Sequence, residues 1–231
     1  YQHSDMNDTL GRNGLWRVRP DGSGAEQIYS ELAEHPKWSP DGRFVVFDAD
    51  TGNSIKMIPS GGGDAVRIVP DSVQITNGGL PCWSPDCRHV AFKDGGAPSL
   101  CVVDVETGRL TRIFSEEGKV PLPACWTSDG KSILIALMDR QTRKSTIWLV
   151  SSDGTGRKQI AVPHENFHRH LALSPDGSLL VYAVLEGRYL GLWITALNGA
   201  KSIPLAVSES AHNEGPAWSP DGRRLAFNST R

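Results

Sequence analysis

The residues of this chain best suited to chemistry are its histidines, and they are unevenly placed. Six of the seven lie in segments without strand-like alternation: His3, His35, His164, His168, His170 and His212. On an extended segment, residues two apart such as His168 and His170 point to the same side. With a carboxylate partner such as Glu34 or Glu214, imidazoles can bind a divalent metal. A metal held by His35, His168, His170 and His212 is therefore one hypothesis. The alternative, which we expect, is a polar rim without a cofactor.

A second candidate is a cluster of basic residues. Arg140, Arg143 and Lys144 fall within five consecutive residues, and Arg169 and Arg188 belong to comparable loop-like segments. A guanidinium group binds a carboxylate through two parallel hydrogen bonds. The cluster thus predicts contact with an acidic partner or a sugar acid, and a solvated loop is the alternative.

Other kinds of function are disfavoured by the sequence. No Gly-x-Ser-x-Gly segment is present, and the glycine-rich stretches 61–63 and 154–158 lack phosphate-loop spacing. The net charge is −2, so no overall field attracts nucleic acid. Apolar runs such as 133–138 have the length of strands, and we expect no transmembrane segment in this sequence.

The elements that must position these residues follow from an internal repeat. Ser-Pro-Asp-Gly, or a close variant, begins at residues 39, 84, 127, 174 and 219, with spacings of 45, 43, 47 and 45. The preceding residues are Trp38, Trp83, Trp126, Leu173 and Trp218, and the turn aspartates are Asp41, Asp86, Asp129, Asp176 and Asp221. A fixed period of this size is typical of a repeat architecture, so we assign these tryptophans and aspartates a structural role.

One period contains four strand-like runs. In residues 36–69 these runs are 36–39, 43–47, 54–58 and 65–69, separated by turns rich in proline, aspartate and glycine. Such a period predicts a four-stranded antiparallel meander. Radial repetition of four-stranded sheets gives an all-β propeller. Five repeat periods are visible, which predicts a ring of five or six blades.

The repeat also resembles a known family. Trp-Ser-Pro-Asp-Gly-Arg at 38–43 and 218–223 is similar to the WD-like propeller repeats of the TolB family. This resemblance covers essentially the whole chain and implies a single propeller domain over residues 1–231, in a periplasmic or extracytoplasmic location. Aligned on the repeat, Tyr1 falls opposite Phe47 and Phe227 in mid-strand, so we expect the sequence to be a window on a longer chain.

The expected function is binding. Loops that vary on a rigid scaffold are the usual place for recognition. We therefore predict a non-catalytic scaffold that binds a protein or peptide at the channel mouth, within a larger complex. The predicted binding residues are Glu34, His35, Arg140, Arg143, Lys144, His168, Arg169, His170, Arg188, His212 and Glu214. Two alternatives stay open: the propeller cap of a prolyl-oligopeptidase-type serine hydrolase, and a metal-dependent carbohydrate-active enzyme.

One copy of the turn departs from the pattern in a way that has a physical cost. Cys87 stands where the other copies have glycine, which places a side chain at a position expected to need a positive φ. Thr127-Ser128 replaces Ser-Pro in another copy.

Overall fold

The computed structural model describes residues 2–3, 14–19, 21–49, 53–75, 78–160, 162, 164, 170–197 and 201–230. Within this part of the chain every regular element is a β-strand, and every strand pairing is antiparallel. The chain forms two compact units, residues 1–112 and 113–231. The dividing point falls inside strand β11, which completes a sheet of the first unit.

The first unit contains three sheets, each built from consecutive strands. The first comprises β1 (Gln2–His3), β2 (Gly14–Arg17) and β3 (Glu26–Tyr29). The second comprises β4 (Ala33–Trp38), β5 (Phe44–Ala49), β6 (Ser54–Pro59) and β7 (Val66–Arg67). The third comprises β8 (Cys82–Trp83), β9 (His89–Asp94), β10 (Ser99–Asp104) and β11 (Leu110–Ser115).

The second unit repeats the plan. One sheet comprises β12 (Lys119–Trp126), β13 (Ser132–Asp139), β14 (Ser145–Ser151) and β15 (Arg157–Ile160). The next comprises β16 (Leu171–Leu173), β17 (Leu179–Glu186), β18 (Tyr189–Ala196) and β19 (Ile203–Ala206). Strands β20 (Asn213–Trp218) and β21 (Leu225–Ser229) form a two-stranded sheet.

The core lies between neighbouring sheets of a unit. In the first unit Val46 and Ile55 of one sheet pack with Phe92 and Val103 of the next. In the second unit Leu134 and Ile147 pack in the same way with Tyr182 of the following sheet. Strands buried on both faces lose the polar alternation of a half-exposed strand, which explains their nearly continuous apolar runs.

The tryptophans at the ends of first strands tie these sheets together. Nε1 of Trp83 donates to the carbonyl oxygen of Lys37 at 3.1 Å, and Nε1 of Trp218 donates to that of Ala172 at 3.2 Å. Lys37 and Ala172 hold equivalent positions, one residue before the end of a first strand. These two indoles therefore hold their sheets against the preceding ones by packing and by a directed hydrogen bond.

The Ser-Pro-Asp-Gly turns are closed by their own side chains. The hydroxyl of Ser39 donates to Oδ1 of Asp41 at 2.7 Å, and the backbone N–H of Arg43 donates to the same oxygen at 3.1 Å. The other four copies repeat this pattern. Thr127 keeps the hydroxyl and therefore keeps the turn. Cys87 takes φ 60°, close to the 68–72° of its glycine counterparts and in the same left-handed region.

Two predicted boundaries were wrong. The strand predicted at 36–39 begins at Ala33, so Glu34 and His35 belong to β4 and not to a loop. The strand predicted at 65–69 contains Val66–Arg67 alone.

Candidate functional site

Each sheet has two unlike ends. The Ser-Pro-Asp-Gly turns lie at one end, which we call the turn end. At the other, first strands begin and the hairpins between second and third strands close; we call this the variable-loop end. In the first unit it comprises residues 31–35, 74–75, 78–80 and 94–99, and in the second unit 116–119, 139–145, 170, 186–189 and 208–214. The described site residues predicted from the sequence all lie at this end of their own unit.

In the first unit His35 is held by a buried carboxylate. The pairing register of β4 with β5 shifts between Glu34 and Lys37, which marks a β-bulge. Within this bulge His35 takes a left-handed backbone conformation with φ 51°. Nδ1 of His35 lies 2.8 Å from Oδ2 of Asp48, whose side chain is 0% exposed against 42% for His35. The histidine thus closes the outer side of a carboxylate hidden from water, while the side chain of Glu34 points to solvent.

Asp48 is also bound by the following sheet. Its Oδ1 accepts the backbone N–H of Gly79 at 3.0 Å, and Oδ2 accepts that of Leu80 at 3.3 Å. Lys93 is buried nearby; burial lowers the pKa of its ammonium, and the negative charge of Asp48 offsets part of that effect. A buried carboxylate with this many donors is a structural anion site, since its hydrogen-bonding capacity is already filled.

A second buried carboxylate lies next to Lys93. Asp94 accepts a hydrogen bond from Arg112 at 3.0 Å and another from the backbone N–H of Gly96 at 3.1 Å. Its side chain is 3% exposed. Asp94 and Arg112 therefore brace the hairpin of the third sheet.

Sequence analysis missed Asp48, Lys93 and Asp94, and it placed Asp48 in a loop. The structure places all three inside second strands, β5 and β9. A signal was present, because each polar residue directly follows an apolar run, at 44–47 or 90–92. Their partners are main-chain amides of another sheet, which no local pattern identifies.

In the second unit the basic residues stand on a rigid hairpin. The backbone N–H groups of Gln141 and Thr142 donate to Oδ1 of Asp139 at 2.9 and 2.7 Å, and Nζ of Lys119 lies 2.7 Å from its Oδ2. The Lys119 hydrogen bond, followed by the backbone donor Thr142, holds the pKa of Asp139 well below its ordinary value. Arg143 takes φ 61°, an unusual conformation for a residue with a side chain.

The basic side chains of this hairpin are exposed. Arg140, Arg143 and Lys144 all face solvent. In the part of the chain that the structure describes, neither Arg140 nor Arg143 has a carboxylate partner. Their guanidinium groups are therefore available to an external acceptor.

The neighbouring hairpin, between β17 and β18, carries Arg188. This side chain is exposed and, within the described residues, unpaired as well. The nearby Glu186 does not pair with Arg188, because Oε1 of Glu186 accepts the indole N–H of Trp193 at 2.7 Å.

Two predicted residues from different strands meet at this end. Nε2 of His170 lies 3.3 Å from Oε2 of Glu214 in β20. His212 is held separately: its Nδ1 accepts the backbone N–H of Leu190 at 3.2 Å, and its ring packs edge-on against Tyr189. A neutral imidazole that accepts at Nδ1 carries its proton on Nε2, so in this arrangement His212 has no free lone pair for a metal.

The remaining histidines contribute less. His168 and Arg169 lie outside the described residues. Nδ1 of His164 is 3.2 Å from the hydroxyl of the buried Tyr182, and its ring packs against Trp193 at 4.3 Å. No group of three potential ligands from His, Cys, Asp and Glu comes together among the described residues. His170 and Glu214 are close enough to share an ion, but a third ligand is needed for a stable site.

Comparison with known proteins gives the repeat a family context. No family model matches the chain. The chain is similar to the Tol-Pal system protein TolB of Francisella tularensis subsp. tularensis (strain WY96-3418), with 25% identity over 150 residues that cover 64% of this chain and 34% of that protein. It is also similar to the uncharacterized peptidase YuxL of Bacillus subtilis (strain 168), with 25% identity over 222 residues, 91% of this chain and 28% of that protein. The chain thus spans about a third of the length of these relatives.

Solved structures agree with the sequence relatives. TolB from Acinetobacter baumannii superposes with a TM-score of 0.75 at 20% identity, covering 93% of this chain and 53% of that one. A TolB-like protein of Agrobacterium tumefaciens superposes with a TM-score of 0.77 at 18% identity, covering 94% of this chain and 79% of that one. An oligogalacturonate lyase in complex with manganese superposes with a TM-score of 0.56 at 14% identity, covering 92% of this chain and 78% of that one.

The fold is therefore that of an all-β propeller, and the resemblance to TolB-like propeller repeats is confirmed. Similarity at these identities shows the fold alone. Among the residues that the structure describes, none forms a helix of the length and apolar character that crossing a membrane requires.

Proposed function

We propose that this chain is a non-catalytic propeller module that recognises a protein or peptide partner at its variable-loop end. The observation that carries the proposal is the contrast between the two ends. At the turn end, each repeated aspartate is saturated by its own turn. At the variable-loop end of the second unit, exposed arginines have their hydrogen-bonding capacity left for another molecule.

The comparisons support the same proposal. Several relatives are TolB proteins of the Tol-Pal system. By that resemblance the chain works within a larger complex and lies in the periplasm or another extracytoplasmic space. Recognition by a preformed surface needs no reacting group, in keeping with a site built from paired histidines and exposed arginines.

Site-specific photocrosslinking in the native cell tests this function. The photoreactive residue p-benzoylphenylalanine replaces Arg140 or Arg188 at the variable-loop end, and Lys131 or Arg223 at the turn end as matched exposed controls. We expect the same protein adduct from 140 and 188 and none from 131 and 223. Equal adducts from both ends, or adducts from the turn end alone, would refute the proposal.

A second candidate is the propeller part of a serine hydrolase of the prolyl-oligopeptidase type. The similarity to the peptidase YuxL over 91% of this chain favours it. The full-length native protein should then contain a Gly-x-Ser-x-Gly segment and react with a fluorophosphonate probe. A protein that contains no such segment and stays unlabelled would eliminate this candidate.

A third candidate, a metal-dependent lyase, has weaker support. The oligogalacturonate lyase shares the fold at a TM-score of 0.56. The proposed ligands would be His35, His168, His170 and His212, but Nδ1 of His212 is engaged by Leu190. Metal analysis of protein purified without a histidine tag, with a lyase assay on oligogalacturonate, tests this candidate.

A further inference from the structure

We propose that the hairpin tips β13–β14 and β17–β18 of the second unit bind an acidic peptide segment in extended conformation, with Arg140, Arg143 and Arg188 as its carboxylate-binding groups. This proposal rests on the proposed function and names the chemistry of the partner.

The first argument is the state of the local carboxylates. Asp139 is held by Lys119 and two backbone N–H groups, and Glu186 is held by the indole of Trp193. Glu214 faces His170. Each carboxylate described at these tips is thus engaged with a partner other than an arginine. Within the described residues the three guanidinium groups therefore have no carboxylate partner, although the exposed Glu117 belongs to the same end of the unit and the chain as a whole carries −2.

The second argument is backbone strain at Arg143. Its φ of 61° lies in the region that favours glycine. Hairpin loops with a left-handed residue at this place usually have glycine there. An arginine kept at this strained and solvent-exposed position supports, together with its lack of a carboxylate partner among the described residues, a role for the side chain in binding.

The third argument is the placement of the two tips. Strands β13 and β17 pack face to face, since Leu134 lies in one core cluster with Leu180 and Tyr182. Packed sheets are about 10 Å apart. An extended peptide rises about 3.3 Å per residue, so about three residues of peptide span the two tips. Carboxylates two to four residues apart could therefore reach Arg188 and the Arg140–Arg143 pair together.

The experiment measures binding of two fluorescent probes, a decaglutamate peptide and a decagalacturonate, by anisotropy at low and physiological salt. The test variant is Arg140→Ala/Arg143→Ala/Arg188→Ala. The control variant is Arg109→Ala/Arg223→Ala/Arg224→Ala, which removes the same charge from exposed turn-end arginines that have no carboxylate partner among the described residues. We expect the test variant to lose at least tenfold in affinity for the peptide and the control less than twofold.

Two single variants separate recognition from folding. Arg143→Gly should raise the melting temperature by relieving the strained backbone, yet weaken peptide binding. Cys87→Gly relieves the same conformation at the turn end, so it should raise the melting temperature and leave binding unchanged. Arg143→Gly with unaltered binding would overturn the role of Arg143.

The remaining outcomes are also decisive. Equal losses in the test and control variants would show attraction by net charge alone and overturn the proposal. Binding of the decagalacturonate with no binding of the peptide would overturn it in favour of a sugar acid. If neither probe binds while crosslinks still arise from positions 140 and 188, the acidic partner is wrong and the proposed function stands. If the crosslinks fail as well, both are wrong.

Discussion

The indole N–H of Trp83 donates a hydrogen bond to the carbonyl oxygen of Lys37, 3.1 Å away in the preceding sheet. Trp38, the same residue one repeat earlier, has no such partner among the described residues and is 52% exposed. Two tryptophans at equivalent repeat positions thus differ in burial and in hydrogen bonding, so we expect them to contribute differently to stability.

The first prediction compares these two tryptophans. Trp83→Phe keeps an aromatic ring but leaves the carbonyl of Lys37 without its donor, so the free energy of unfolding should fall by about 1–2 kcal/mol. Trp38→Phe should change it by less than about 0.5 kcal/mol. Urea titration followed by circular dichroism measures both. Equal losses in the two variants would contradict the role assigned to the hydrogen bond.

The second prediction concerns the buried carboxylate beside His35. Asp48→Ala removes the acceptor of Gly79 and Leu80 and leaves Lys93 without its nearby negative charge. Loss of one partner from a buried charged network costs about 3–5 kcal/mol. His35→Ala, at the exposed edge of the same network, should cost about 1 kcal/mol. Urea denaturation of the two variants and of Asp48→Asn measures how much each change lowers the free energy of unfolding. A loss for Asp48→Ala no greater than that for His35→Ala would contradict the prediction.

The third prediction is a stabilising substitution at Cys87. Its φ of 60° is the conformation adopted by Gly42, Gly130, Gly177 and Gly222 in the other copies. Cys87→Gly should therefore raise the free energy of unfolding by about 1 kcal/mol. The reciprocal Gly42→Cys should lower the free energy of unfolding by a similar amount, because a Cβ added at Gly42 meets no atom within 4 Å and the cost comes from backbone strain. A destabilised Cys87→Gly protein would show that the thiol makes a contact that stabilises the fold by more than the backbone strain costs.

The fourth prediction is loss of stability in acid. A hydrogen bond from the Ser174 hydroxyl, with the backbone N–H of Ser178, lowers the pKa of Asp176 to about 2, and the pKa of Asp41 is lowered by the same kind of turn. A depressed pKa in the folded state stabilises the fold above the unfolded value of about 3.9, and this contribution is lost as the pH falls through the folded value.

The urea concentration at the midpoint of unfolding should accordingly decrease as the pH is lowered from about 4 to about 2. Asp176→Asn should lower the midpoint at pH 5 and flatten its dependence on pH in that window. A wild-type midpoint that stays constant over the same range would rule out this account. Glu117→Gln, at an exposed carboxyl outside the Ser-Pro-Asp-Gly turns, serves as the control.

The strands and turns could be predicted because their determinants are local. A turn such as Ser39–Gly42 needs residues within three positions of one another, and its hydrogen bonds are made as the sequence implies. The four tryptophans that precede the turns also share one structural position, the end of a first strand, as the fixed period in the sequence predicts.

The arrangement of the candidate site could be predicted less well. The bulge at His35, the link from Asp48 to Gly79 and the contact between His170 and Glu214 depend on pairing register and on neighbouring sheets. Four of the six histidines grouped by chain position have described side chains, and each has a different partner: Asp48 for His35, Tyr182 for His164, Glu214 for His170 and the backbone of Leu190 for His212. Arg140, Arg143 and Arg188 were expected in loops, and the structure places them on exposed hairpin tips; their role in binding stays a prediction.

The bond from Asp48 to two backbone amides has a consequence for how the first unit opens. The carboxylate belongs to the second sheet, while its donors Gly79 and Leu80 precede the first strand of the third sheet. Separating these sheets would break both hydrogen bonds to Asp48 together with the apolar packing between them, so neither sheet should detach on its own. The two sheets should behave as one cooperative block, and the amides of Gly79 and Leu80, although outside any strand, should exchange with deuterium as slowly as those of β5.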